Sequence, residues 1–543
     1  MFVITVGQLK ISAFPPNGLF YFTSLPWSYW VGVSASLVLI LRAFTKETQH
    51  RSGLLPLLVL ASFLYLLPQL SYENPRYQDV YTHGAGVQHI INFGHIDPTY
   101  SYSQEYPSAF LFMAISHILG NWDQFAFFKF FNAFTLIFSV VLIYCIARTF
   151  STKYSLLAPL AFMALMWVDE GHFSPQGFTI LFYLMTVWSL VNIFVKKETK
   201  GKWLLMLILS LLLVNISNPT NSFFMFITTT AMGLLSFLIR SSHLSRRRFL
   251  SLLIFNSVLW VGWTAYTGSE WSLAKIERFG GEVTEGSEIK VTPAPDITYS
   301  VVNLIRYADT GFMIVASLLF TLLMMKSPLK PELKIITIGL LSNMLLLPVT
   351  SLANTVVLAR NYMLLILPWC ILLTIFLVYS EKRKILRIGR VAVMVALVSF
   401  VIMVPVSKYG SEPTTYVPNS TVYAAQLIAG HSSNILKTEV SYSSSAFAVK
   451  YFDAVDGKTI NNYRWSPKYY ELNVANANNT RIIQHVFDMS AAPNDIVMFS
   501  EAERNILIMR YSDLDTYNVM EDTVASQYNM IVNSGTTRVY ARP

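Results

Sequence analysis

Charge and cysteine are what this chain has least of. Of its 543 residues only 13% are Asp, Glu, Lys or Arg, while 53% are hydrophobic and the mean hydropathy is +0.46. A soluble domain carries about 25% charged residues, so an all-soluble globular protein is excluded and most of the chain belongs in a bilayer. The two cysteines, Cys145 and Cys370, both fall inside apolar runs, which excludes a disulfide framework and leaves the redox compartment unread. No internal repeat or low-complexity tract is visible. The N-terminus carries no clear secretory signal, because Lys10 interrupts it and no small-residue cleavage site stands out. Nucleic acid is excluded as a partner by distribution: the net charge of +9 comes from Lys and Arg scattered through short loops, not from one basic face.

What the chain does have is a succession of apolar runs long enough to cross about 30 Å of hydrocarbon as helices. About twelve spans are expected, at residues 27–44, 54–70, 126–147, 155–168, 177–195, 203–214, 223–239, 249–266, 312–325, 335–347, 363–379 and 391–406. Alternate loops (42–51, 148–153, 196–202, 240–248, 326–334 and 381–390) hold 21 of the 40 Lys and Arg but only 4 of the 31 Asp and Glu. By the positive-inside rule those loops are cytoplasmic. Residues 71–107, residues 268–310 and the whole chain beyond 407 are then external.

The expected fold is an α-helical polytopic membrane domain, residues 1–407, followed by a small extracytoplasmic α/β domain, residues 408–543. In the second part, turns and short alternating runs replace the long apolar stretches. Strands are expected at 497–500, 528–532 and 537–541, and a helix at 501–511. Residues 107–120 are amphipathic and too short to cross, which suits a helix lying at the interface. Sequons stand at Asn419 and Asn478 on the external side.

The candidate chemistry gathers in residues 71–107, expected to form a polar, aromatic external loop. It holds Glu73, Arg76, Asp79, His83, His89, His95, Asp97 and Glu105 in a chain otherwise poor in charge. Any one external acid is ordinarily a solvated loop residue; clustering is what singles these out. The gaps between His83, His89 and His95 match neither a helical pair nor a zinc spacing. A structural zinc is therefore not expected, whereas oxygen ligands from Asp79, Glu105, Asp169 or Glu170 leave room for a divalent cation such as Mg or Mn. In VDEGHFSPQG, Ser174 and Pro175 suit a capped helix start, and His172 and Gln176 could meet sugar hydroxyls there. Tyr77, Tyr81, Tyr100, Tyr102 and Tyr106 could stack on sugars or serve as an interfacial aromatic belt.

The order of a span, RYQDVYTH, GHID, EYPSAFLFMAISHILG and a second span ending in a cytoplasmic Arg resembles the first external loop of the glycosyltransferase-C (GT-C) superfamily. DEGHFSPQGFTILFY is similar to a second external loop of prokaryotic members. SNPTNSFFMF stands where many have a His-Pro or His-Thr turn, ARNYMLLILPW is similar to an Arg-x-Tyr segment opening a late span, and YNMIVNSGTTRVYAR resembles a last hairpin of the external tail. The resemblance implies a multi-pass plasma-membrane enzyme of archaeal or bacterial type. It would move sugar from a polyprenyl- or dolichyl-phosphate donor to a glycan, lipid or protein acceptor, with inversion, at the extracytoplasmic face.

Such a transfer needs a carboxylate near the acceptor hydroxyl as general base and cations around the leaving phosphate. The resemblance points to Asp79 as the acid, although Val80 stands where many members have a second one. Glu105 or Glu73 would supply another carboxylate. Arg360, with Tyr362, matches the Arg-x-Tyr position and is the first candidate for the phosphate, ahead of Arg306 and Arg76; the structural alternative is a snorkelling anchor. Substrate contacts are further expected from His83, Tyr106, His172 and Gln176. Rival readings are a transporter or flippase of lipid-linked sugars, a non-catalytic subunit of a membrane complex, and an oligosaccharyltransferase. Against the last stands the tail, which offers NNYRWSPKYY but no Trp-Trp-Asp triplet.

Overall fold

The computed structural model describes residues 1–11, 14–45, 53–97, 105–168, 171–196, 200–239, 242–267, 297–326, 329–347, 355–380, 386–431, 438–440, 443–455, 496–511, 515–534 and 537–541. After two short helices (Phe2–Gln8 and Phe20–Ser24) come α1 (Trp27–Thr45), α2 (Leu54–Ser71), α3 (Asp79–Phe93), α4 (Ser108–Gly120), α5 (Gln124–Phe150), α6 (Leu157–Leu165) and α7 (Pro175–Val191). They are followed by α8 (Lys200–Ser217), α9 (Pro219–Leu238), α10 (His243–Tyr266), α11 (Ile297–Met325), α12 (Pro331–Leu341), α13 (Thr355–Ser380) and α14 (Leu386–Ser407). Each of the twelve expected spans overlaps one of these helices. Among the described residues eight helices are long and apolar enough to cross a membrane. α6, with 9 residues, and α12, with 11, are shorter than a bilayer requires.

Burial differs sharply between them. In α13, 94% of the apolar window is buried, which makes it the central pillar; in α10 only 17% is, so an apolar face is left for lipid to cover. Buried amides link helices where no water could satisfy them. Asn215 of α8 donates to Asn256 of α10 at 3.0 Å, Asn256 donates to Thr229 of α9 at 3.1 Å, and Asn343 donates to Thr228 at 3.1 Å.

The tail begins with α15 (Asn419–His431), β1 (Thr438–Val440), α16 (Ser443–Val455), β2 (Ile496–Phe499), α17 (Glu501–Tyr511), α18 (Asp515–Ala525), β3 (Asn529–Asn533) and β4 (Arg538–Ala541). The strands form one sheet in the order β1-β2-β4-β3. β1 runs parallel to β2 (Thr438 opposite Ile496), and β4 is antiparallel to both β2 and β3, with a register shift between Met530 and Val532. The three expected strands and the helix at 501–511 are present. β1 and the helices α15, α16 and α18 were not foreseen.

The larger correction concerns residues 71–107, which were expected to be a loop. Residues 79–93 form α3, 15 residues long, burying Val80, Val87 and Ile90 and ending at Gly94 with φ 72°, a left-handed cap that glycine adopts without strain. The polar residues between its apolar positions hid the 3.6-residue period. α4 fills the place of the interfacial helix, with Phe112, Ile115, Ile118 and Leu119 exposed.

A second hydrophobic core, distinct from the membrane one, joins these helices to the tail. Val80, Tyr81 and Val87 of α3 and Phe110 and Met113 of α4 pack in one cluster with Val417, Ala425, Ala448, Met498 and Val539. Gly84 lets the tail approach: a Cβ there would lie 2.9 Å from the Tyr451 ring and 2.7 Å from Phe128. The N-terminal segment is held as well. Asn505 of α17 donates to the carbonyls of Phe14 (2.8 Å) and Pro413 (3.0 Å), and the Ile11 amide donates to the Ser71 carbonyl at 3.0 Å.

Candidate active site

Four helix ends and the segment before α7 supply the polar residues of interest. α3 opens with Asp79, an acid in the first turn where the helix N-terminus favours negative charge. Four residues on, His83 lies on the same face, one turn deeper. Asp79 is exposed, whereas His83 is buried with its ring 5.7 Å from Phe110 and 6.4 Å from His172. His172 stacks on Tyr77 at 4.6 Å with a 19° interplanar angle. Just beyond it α7 starts as the sequence suggested: Ser174 accepts from the Gly177 amide at 3.0 Å, Pro175 takes the first helical position, and Gln176 is buried.

From the other side α13 contributes Arg360, which donates to Thr220 Oγ1 at 3.4 Å in the first turn of α9. That turn is capped by Asn218, which accepts from the Asn221 amide at 2.9 Å. Tyr362 donates its hydroxyl to the Leu165 carbonyl at 2.9 Å and packs on Trp167 at 5.1 Å, fixing α13 against the end of α6.

Electrostatics at His83 tie these pieces together. Burial first, then the charges of His172, Arg360 and Lys450, push its pKa down from 6.5 to about 3. At neutral pH the imidazole is therefore uncharged. Its Nδ1 has no hydrogen-bond partner among the described residues.

Glu105 and Tyr106 are both buried at the entry to α4. The Glu105 carbonyl accepts from Trp263 Nε1 at 3.2 Å and Thr267 Oγ1 at 3.3 Å, both at the end of α10, and Ser108 shares a hydrogen bond with Ser217 of α8.

Other residues singled out from the sequence are committed elsewhere. Arg76 donates Nε to Glu412 in a buried ion pair and lies 4.3 Å from the Tyr409 ring. Arg306 donates to the Ser407 carbonyl at 2.6 Å and Ser411 Oγ at 2.8 Å, with its guanidinium 5.2 Å from the Trp167 ring. Both arginines clasp the segment between α14 and the tail. Glu73 accepts from the Asn419 amide, and Asn74 donates to Asn419 Oδ1 at 2.8 Å, so this sequon asparagine is built into the fold. Asp169, Glu170, Tyr100, Tyr102, Asn478 and the segment 268–296 lie outside the described residues.

Sequence reasoning missed Lys408 and Lys450. Lys408 is fully buried, donating to the carbonyls of Met166 (3.3 Å) and Val168 (3.0 Å), where the end of α6 leaves backbone acceptors unpaired. No local pattern marks Lys408, since its carbonyl partners lie 242 and 240 positions away in the chain. Among the described residues no three His, Cys, Asp or Glu are gathered as metal ligands.

No family model and no curated protein matches the sequence. Solved structures do. The Archaeoglobus fulgidus oligosaccharyltransferase, solved with Zn and sulfate, superposes with a TM-score of 0.52 at 11% identity, over 90% of this chain and 73% of that one. The archaeal oligosaccharyltransferase AglB from Archaeoglobus fulgidus, in complex with an inhibitory peptide and a dolichol-phosphate, gives 0.52 at 10% identity, over 91% and 74%. The chain shares the fold of these two oligosaccharyltransferase structures. ArnT from Cupriavidus metallidurans is more distant, with a TM-score of 0.44 at 10% identity over 85% of this chain and 93% of that one.

Proposed function

We propose that this chain is a membrane glycosyltransferase that takes sugar from a polyprenyl- or dolichyl-phosphate donor at the extracytoplasmic face and gives it to an acceptor hydroxyl. The observation that carries the reading is the face of α3: Asp79 stands one turn from His83, and His83 lies beside His172 within the field of Arg360. A carboxylate beside cationic and neutral hydrogen-bond donors is what a displacement at a sugar phosphate requires.

In the step this arrangement suits, the acceptor oxygen forms a bond to the anomeric carbon as the bond from that carbon to the phosphate oxygen breaks. The electron pair leaves with the lipid phosphate, and the hydroxyl proton passes to Asp79. Arg360 faces the departing phosphate with its planar fork. His83, neutral, offers hydrogen bonding without a charge of its own. A single displacement inverts the anomeric centre. The exposed apolar face of α4 suits a lipid chain lying at the interface.

The test is transfer by the purified protein in nanodiscs from a panel of radiolabelled polyprenyl-phosphate sugars, wild type beside Asp79→Asn. Label reaching an acceptor or water in the wild type and not in the variant is the expected outcome. Equal transfer by both would remove Asp79 from the reaction, and no transfer from any lipid-phosphate donor would overturn the reading.

A further inference from the structure

Of the eight long apolar helices, α10 is the one that the rest of the protein covers least, with 17% of its apolar window buried. Its two ends differ in kind. At the later end Trp263 Nε1 and Thr267 Oγ1 hold the Glu105 carbonyl at the entry to α4. The helix has 24 residues and rises about 36 Å, so its first turns lie at the opposite face of the membrane. By the positive-inside rule that face is the cytoplasmic one.

Those first turns carry Arg246, Arg247 and Arg248 in succession. Ser242 caps the helix, its hydroxyl accepting from the Ser245 amide at 3.2 Å. A helix N-terminus favours negative charge, so three consecutive cations there oppose the helix dipole. Glu332, the acid that α12 brings to this turn, accepts instead from the Ser245 hydroxyl at 2.6 Å. Among the described residues no carboxylate pairs with any of the three arginines. Arg246 lies 5.1 Å from the centre of the Phe237 ring near the end of α9. Phe237 keeps half of its surface exposed, and Leu234, one turn before it, and Leu244, at the start of α10, are exposed as well.

We propose that the first turns of α10 and the end of α9 form a binding site for an anionic phospholipid of the cytoplasmic leaflet. Its phosphate headgroup meets Arg246, Arg247 and Arg248, and an acyl chain runs along Phe237 and Leu234. The occupant follows from charge and surface together: a cationic edge is continuous with an apolar wall, and Arg246, laid on Phe237, joins the two. A soluble anion would use only the edge and a neutral lipid only the wall. A topological signal needs no more than positive charge somewhere in the loop; charge on the opening turn of a helix, against its dipole, is the additional feature. A lipid seated there steadies the helix that the protein itself leaves least covered. The inference goes beyond the transfer reaction and does not rest on it.

The test uses the full-length protein in a neutral detergent. Phosphatidylglycerol, phosphatidylcholine with the same acyl chains, and inorganic phosphate are each titrated in while the melting temperature is followed. The proteins are wild type, Arg247→Gln, the triple variant R246Q/R247Q/R248Q, and Arg148→Gln at the end of α5 on the same face. Phosphatidylglycerol is expected to stabilise the wild type at lower concentration than either other ligand, and less so in added salt. Its half-saturating concentration should rise about fivefold in Arg247→Gln and about a hundredfold in the triple variant, at the usual worth of a basic residue near an anionic headgroup. Arg148→Gln should leave it unchanged.

Equal stabilisation by phosphatidylcholine would mean that the apolar wall acts alone, and equal stabilisation by phosphate would mean an anion site without a lipid. A triple variant that responds as the wild type does would place the lipid elsewhere, and a loss in Arg148→Gln equal to that in Arg247→Gln would leave only the diffuse charge of the face. Any of these overturns the inference. Arg247 is exposed, so its single variant keeps the test decisive should the triple variant not fold, and an unchanged half-saturation there also overturns it.

Discussion

Around Arg76 a carboxylate and two aromatic rings close on the guanidinium: Glu412 pairs with it, Tyr409 lies at 4.3 Å and Tyr77 at 5.1 Å. Arg360 donates to the Thr220 hydroxyl at 3.4 Å, and its charge is among those that keep the His83 imidazole neutral. One chain, poor in charge, thus uses the same side chain in two ways. At Arg76 the charge is neutralised inside the protein and holds the tail to the membrane domain. Arg360 instead reaches from α13 to the capped first turn of α9, away from the joint between the tail and the membrane helices. Sequence position alone ranked both residues as phosphate candidates; the partners separate them.

The comparison can be broken most forcefully through the proton acceptor. Asp79→Asn is expected to lower transfer by roughly 10²–10⁴-fold, the usual worth of a positioned general base, with an unchanged melting curve. A variant that loses stability together with activity would move Asp79 into the structural class with Arg76.

Arg76→Met is expected to cost about 3–5 kcal/mol of stability, because it strands Glu412 in the interior. The double variant Arg76→Met, Glu412→Leu is expected to recover part of that loss. Chemical denaturation of the three proteins in detergent checks both statements, and a single variant as stable as wild type would show that the pair is not a clasp.

Arg360→Met is expected to do the reverse. Stability should hold while kcat/KM for the donor drops by about 10–100-fold, the range of one or two hydrogen bonds to a charged group. Steady-state kinetics at several donor concentrations separate this outcome from a folding defect.

The smallest effect concerns acid. Unfolded, His83 takes up a proton below pH 6.5; folded, it does so only near 3. Between those values the unfolded chain binds the extra proton, so stability falls as pH drops below 6.5, by about 1–2 kcal/mol at pH 5. His83→Gln should flatten that slope in thermal unfolding measured from pH 7 to 5. An identical slope in both proteins would mean that the imidazole is charged or exposed.

How much of this was legible beforehand depended on the range of the signal. The twelve apolar runs and the cap at Ser174 were readable because hydropathy and capping act over a few neighbouring residues. The strands at 496–499, 529–533 and 538–541 were readable from alternation. α3 was not, because Asp79, Thr82, His83, Gln88 and His89 interrupt its apolar face. A helix half-covered by other helices and half-facing a site has no clean amphipathic pattern to show. The partnerships of Arg76 with Glu412, Asn92 with Ala454 and Lys408 with Val168 each span 240 residues or more and leave no trace in local spacing.

The bond from Asn505 to Phe14 sets a timetable for biosynthesis. The two residues are separated by 491 positions. At roughly 5–20 residues per second of synthesis, the segment around Phe14 waits about 25–100 s, while the membrane helices are inserted, before the group that fastens it exists. Until then the segment has its contacts with the membrane helices, among them Ile11 to the Ser71 carbonyl and Gly18 to the Thr298 hydroxyl. A chain cut short after α14 therefore lacks the amide that fastens the Phe14 segment, and limited proteolysis of that segment should be faster in it than in the full chain.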